Sequence, residues 1–143
     1  MRWNAPELWR GEYGGMADDV TCFAEDIFGG QFCLRAGKVH TFDPETGGIE
    51  TMAKNIVEWV SAVLAEWRAI TGAPIAHDWQ VGHGVLAVGR RLVPKTPFVL
   101  GGELAISNLV AMDDVKGMRF RATLAVQIRD LPDGTPITLK VVD

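Results

Sequence analysis

The sequence predicts an α+β fold, with one largely antiparallel sheet and helices packed mainly on one face. Residues 20–53 alternate short apolar runs with Gly-rich turns, the mark of a meander of strands. Residues 55–71 repeat apolar side chains at i, i+3, i+4 and i+7, the mark of an amphipathic helix. Further along, the order of elements is strand, helix, strand, which completes an α+β pattern. A chain of 143 residues suits one domain and is long enough to bury a core without metal or disulfide.

Residues 1–19 are irregular, with Pro6, Gly11, Gly14 and Gly15. Trp3, Leu8, Trp9 and Tyr13 are too many large apolar groups for a solvated tail. If this segment lies open, its apolar patch exceeds what monomers usually expose, and a two-fold homodimer is the commonest way to close it.

Val20 to Phe28 reads as a first strand, and "CFAEDIFGGQFCL" as a hairpin about a two-residue Gly29-Gly30 turn with positive φ at both glycines. That register pairs Phe28 with Gln31, Asp26 with Cys33 and Glu25 with Leu34. Adjacent strand residues point to opposite faces. Without a bulge, Glu25 and Asp26 are therefore held apart, which removes the paired-acid glycosidase reading. The same register puts Cys22 far from Cys33, so a disulfide between them is not expected. A carboxylate near the core needs amides or an arginine, and Arg35 is the nearby candidate.

Lys38 to Phe42 is the third strand, Asp43 to Gly48 a turn and Ile49 to Ala53 a fourth strand. Asn55 caps the helix that follows, with Glu58 three positions on. Its apolar positions are Ile56, Trp59, Val60, Val63, Leu64, Trp67 and Ile70, and Trp59, Val63 and Trp67 are expected on the sheet. Gly72 and Pro74 end it. A shorter helix runs from Pro74 to about Gly82. Val85 to Leu100 reads as an extended crossing segment and Leu104 to Met112 as a strand. A helix from about Asp114 to Asp130, capped by Asp113, precedes a closing strand at 137–142.

The composition narrows function. A net charge of −4 argues against general nucleic-acid binding, which relies on Lys and Arg. No run of 18 apolar residues is present, so no transmembrane helix is expected. The N-terminus lacks the apolar centre of a signal peptide, and the expected location is the cytoplasm. His40, His77 and His83 lack metal-ligand spacing. "GVLAVGRR" lacks the spacing of a dinucleotide loop, and no other catalytic motif stands out. No cofactor, metal site or catalytic set is expected.

The ordered set Phe23, Ala24, Asp26, Phe28, Gly29, Gln31 and Phe32, then Glu45, Thr46 and Gly47, then Asn55 and Trp59, resembles the SUKH superfamily of Smi/Knr-like domains. "RLVPKTPFVLGGE", "NLVAMDDVKGMRF" and "QIRDLPDG" resemble the C-terminal half of a bacterial branch. The likeness spans about residues 8–143 and implies a single domain over 1–143 with a shortened N-terminus. It implies a non-enzymatic interaction domain, an immunity protein that binds and neutralises a cognate bacterial toxin such as a nuclease or deaminase. Asp26 then belongs to the hairpin motif as a structural residue. The contact candidates are Asp18, Asp19, Glu25, Asp43, Glu45, Asp113 and Asp114, an acidic set suited to a basic protein partner. The alternatives are a small-molecule enzyme, using Asp26 with His40, or a structural subunit of a larger assembly.

Overall fold

The computed structural model describes residues 2–138. Its main sheet has four antiparallel strands in chain order, β1 (Thr21–Glu25), β2 (Gln31–Arg35), β3 (Lys38–Phe42) and β4 (Ile49–Ala53). Helices α1 (Ile56–Thr71) and α2 (Ala73–His83) follow. A separate antiparallel ribbon joins β5 (Arg90–Pro94) to β6 (Leu109–Asp113), and α3 (Asp114–Ile128) comes last. The architecture is α+β. The strand expected over Leu104–Met112 begins later, after a short 3₁₀ turn at Ile106–Asn108. The crossing segment contains β5. Of the closing strand expected at 137–142, Ile137 and Thr138 are not in a strand, and the remainder lies outside the described residues.

The register of the first hairpin differs from the expectation. Cys22 faces Cys33, Ala24 faces Phe32 and Glu25 faces Gln31, with a bulge between Cys22 and Ala24. An inserted residue lets neighbours share a face. Phe23 lies on the α1 side, where its ring meets Trp59 edge to face at 4.9 Å, with Phe32 also at 5.4 Å. β1 ends at Glu25, so residues 26–30 form the turn rather than Gly29-Gly30 alone. Gly29 has φ +85°, whereas Gly30 is not in the left-handed region. The longer turn has a local physical reason. The Asp26 carboxylate accepts from the amides of Phe28 and Gly30, each at 2.8 Å, and this local bonding replaces the strand ladder.

The two faces of the sheet are covered differently. On one, Trp59 of α1 seats on Phe23 and Phe32. On the other, Trp9, Tyr13, Ala17 and Val20 join Cys22, Cys33 and Phe42, with Met118, Ala122 and Ala125 of α3, in one core cluster. Trp9 and Tyr13 are fully buried there, and the Tyr13 hydroxyl donates to the Pro44 carbonyl at 2.8 Å. The expectation that the N-terminal apolar patch lies open is corrected. The segment folds onto its own core, because Trp9, Tyr13 and Phe42 satisfy one another ring to ring.

Helix α1 starts where its cap predicts, with Asn55 Oδ1 accepting from the Glu58 amide at 2.9 Å. Only part of its apolar surface docks. Trp59, Val63 and Ile70 are half-buried, whereas Trp67 is 47 % exposed and lies beside the Arg68 guanidinium. Trp67 is therefore not one of the helix's anchors on the sheet. Non-helical dihedrals at Glu66 kink the helix. Its last carbonyl, on Thr71, accepts from the Ile27 amide at 3.0 Å.

Gly72 caps α1 and opens α2 with φ +72°. A Cβ there would lie 2.6 Å from both Ile27 and Phe28. Below it, Ala76 and Trp79 of α2 pack with Leu92 and Leu109 into a second cluster bordered by Ile27 and Phe28. Left-handed strain and overpacking act together at this position. Gly72→Ala is expected to destabilise the fold by about 2–4 kcal/mol. Urea titration measures this, and a loss under ~0.5 kcal/mol would show that the turn and helix do not need this approach.

Candidate functional site

Two features of the described residues stand out as places where something could bind. The first is a cavity of about 390 Å³ beneath the β1–β2 turn, a volume typical of small-molecule sites. Phe28, Phe32 and Phe98 give it aromatic walls, and Asp26, Asp43, Glu45 and Arg121 give it charge. The chain positions the charged groups and Phe98 from four places. Asp26 comes from the turn, Asp43 and Glu45 from the β3–β4 loop, Phe98 from a short 3₁₀ turn after β5, and Arg121 from the inner side of α3.

Arg121 is 2 % exposed. Its guanidinium donates to the carbonyls of Gly117, at 2.9 Å, and Phe28, at 2.5 Å. No carboxylate lies within 4.0 Å of it among the described residues. Burial pushes its pKa down, and the charges of Tyr13, Glu45, Asp26 and Asp43 oppose that. Glu45 is also buried, and its two oxygens accept from the amides of Phe98, at 3.0 Å, and Val99, at 2.8 Å. Burial raises its carboxyl above the usual range against those two bonds. The result is a polar layer inside the fold, with backbone groups as its main partners.

The second feature is on the outside of α1. Val57 is 75 % exposed, Val60 41 %, Leu64 75 % and Trp67 47 %. At i, i+3 and i+7, Val57, Val60 and Leu64 line one side of the helix, and Trp67 follows beyond the kink at Glu66. Scattered surface apolar residues are ordinary, but four large ones on one helix are a candidate contact surface.

The carboxylates expected to make contacts do not form one surface. Asp19 pairs with Arg35 at 3.5 Å. Glu25 is half-buried, bonded to Arg91, and accepts from Gln31 Nε2 at 3.2 Å. Asp43 accepts from the Glu45 amide, and Asp113 caps α3 by accepting from the Lys116 amide. Asp114 accepts from the Val115 amide. Asp18 is exposed, and its carbonyl accepts from Arg10 at 3.1 Å while its carboxylate has no hydrogen bond among the described residues. Arg35 is not the partner of Asp26; backbone amides are. His40 is buried with its Nδ1 3.3 Å from Thr51 Oγ1. His83 stacks on Trp79 with ring centres 4.3 Å apart. Among the described residues, no group of three His, Cys, Asp or Glu side chains is gathered to hold a metal. No helix among them is long and apolar enough to cross a membrane.

Sequence reasoning missed Arg121 and the outward stripe. Arg121 carried a signal, since it sits between Met118 and Ala125 on the apolar side of its helix. The stripe carried one in Val57, an apolar residue outside the inner face. Compared with known proteins, the chain matches no family model, and no curated protein matches its sequence.

Asp26 carries a pH dependence. Burial, the largest cause, lifts its pKa from 3.8 to about 6, against the opposing pull of the Gly30 and Phe28 amides and of Arg121. The native state therefore holds this proton more tightly than the unfolded chain does. The contribution from Asp26 is full below pH 3.8 and is lost as pH rises through 6, an effect of roughly 3 kcal/mol. Asp26→Asn keeps the acceptor oxygen and removes the titration. The stability difference, wild type minus variant, should fall by about 2–3 kcal/mol between pH 4 and pH 7.5 in urea titrations. A flat difference would mean that Asp26 is solvated.

Proposed function

We propose that the chain is a non-enzymatic protein-binding module of the immunity type, which binds a toxin domain and holds it inactive. The observation that carries this reading is the exposed stripe Val57, Val60, Leu64 and Trp67. The resemblance of the hairpin, the Glu45-Thr46-Gly47 turn and the Asn55-capped helix to SUKH domains supplies the class of partner. In such a complex Trp67 and Leu64 are the anchors, because buried aromatic and large aliphatic groups dominate binding energy at the centre of an interface. The cytoplasm is where such a partner would be met.

The cavity favours a second reading, a small organic ligand seated between Phe28, Phe98 and the Asp26–Arg121 layer. A ligand of that kind would raise the melting temperature of the wild type and not that of a Phe98→Trp variant, whose larger ring fills the space.

The test of the first reading is co-expression with any toxin domain found encoded beside this gene, together with calorimetric titration of the two purified proteins. A Leu64→Lys, Trp67→Ala double variant should keep its fold, since both side chains face water. It should lose about 100-fold or more in affinity and fail to protect cells. Undiminished binding and protection by the double variant would remove α1 from the interface.

A further inference from the structure

We propose that Cys22 and Cys33 are a reversible dithiol–disulfide pair, oxidised by low-molecular-weight disulfides and gated by the N-terminal segment. The two residues are direct cross-strand partners in the β1–β2 hairpin. Their sulfurs are 3.0 Å apart, and both are free thiols. Directly opposed residues of antiparallel strands have Cα atoms about 4.5–5.5 Å apart, inside the span that a disulfide bridges. The sheet therefore holds the pair ready, and closing the bond asks only for a small approach of the sulfurs. Nothing else in the core cluster bonds to either thiol.

The two sulfurs have unequal parts. The hydrogen bond from Cys33, followed by the Arg10 charge, pulls the Cys22 thiol towards its thiolate against the effect of burial. The same bond, with burial, holds the Cys33 proton in place. Cys22 sits on the edge strand β1, Cys33 on the inner strand β2, and Cys22 is the attacking sulfur. Its thiolate attacks one sulfur of the oxidant, breaks the oxidant's S–S bond and expels one thiolate. Cys33 then loses its proton to solvent, and its sulfur attacks Cys22 in the mixed disulfide, expelling the second thiolate. Two protein thiols lose two electrons, and one small disulfide becomes two thiols.

Access decides the rate, because the two residues are 1 % and 0 % exposed. β1 is an edge strand, and its free edge at Cys22 is covered by Asn4. The Asn4 amide group donates to the Cys22 carbonyl and its oxygen accepts from the Cys22 N–H, both at 2.8 Å. Arg10 braces this segment internally, donating to the carbonyls of Asn4 at 2.9 Å and Val20 at 2.7 Å. Residues 2–20 are therefore the cover that must lift for an oxidant to reach Cys22.

The experiment treats the native protein with an aromatic disulfide reagent, follows release of the coloured aryl thiolate and weighs the product. The expected result is two aryl thiolates released per chain and a product lighter by two hydrogens, with a raised melting temperature that returns to its starting value on reduction. Cys33→Ser should stop at the mixed disulfide, with one aryl thiolate released and one aryl group retained. Asn4→Ala should speed the wild-type reaction about ten-fold, the factor expected from losing two hydrogen bonds. A product carrying two aryl groups would overturn the proposal. So would a native protein that stays unreactive while the unfolded chain releases two aryl thiolates. An unchanged rate in Asn4→Ala would overturn the gating by the N-terminal segment.

Discussion

The five-residue turn from Asp26 to Gly30 is the joint on which the rest of the structure depends. The Ile27 amide donates to Thr71 at the end of α1, and the Ile27 carbonyl accepts from Leu92 of β5 at 3.0 Å. The Phe28 carbonyl accepts from Arg121 of α3, and the Gly29 carbonyl accepts from Gln31 Nε2. Beside the turn, Glu25 reaches Arg91. One loop thus links the four-stranded sheet to the β5–β6 ribbon and to two of the three helices. The Asp26 carboxylate keeps the loop in shape through the Phe28 and Gly30 amides. The adjacent acids of "CFAEDIFGGQFCL" consequently have separate tasks. Asp26 shapes the turn, and Glu25 ties the sheet to the ribbon.

Burying a carboxylate and a guanidinium in this layer costs desolvation for both, and no short ion pair offsets it. Backbone groups take that part instead. Asp26 and Glu45 each accept two amide bonds, and Arg121 donates to two carbonyls. Such bonds to charged groups are stronger than neutral ones. They are also directional, which suits groups that must hold a turn and two loops in fixed positions.

The kinds and order of the elements were largely legible in the sequence, since periodicity and caps are local. Asn55 and Asp113 cap as their positions predict. The hairpin register was not legible. The bulge at Cys22–Ala24 and the turn at Asp26 are chosen by tertiary partners, namely Trp59 on one side and Thr71, Leu92 and Arg121 on the other. A slip in register changes which side chains face each other. The slip is why Cys22 and Cys33 meet. The site was less legible than the fold, because acids chosen for exposure turned out to serve loops and caps. The residues that now matter most, Arg121 and Leu64, are defined by what does or does not cover them.

That last point bears on α1. Its apolar residues occupy more of its circumference than one sheet face can cover. Two anchors fix which part faces inward. Near its start, Trp59 is clasped by Phe23 and Phe32, although its indole N–H finds no acceptor there. At its end, Thr71 and Gly72 are pinned to the turn. The kink at Glu66 lets one helix meet both anchors. With both ends held, rotation about the helix axis is blocked, and Leu64 cannot turn inward without releasing Trp59. The outward stripe is therefore a consequence of how the helix is tied.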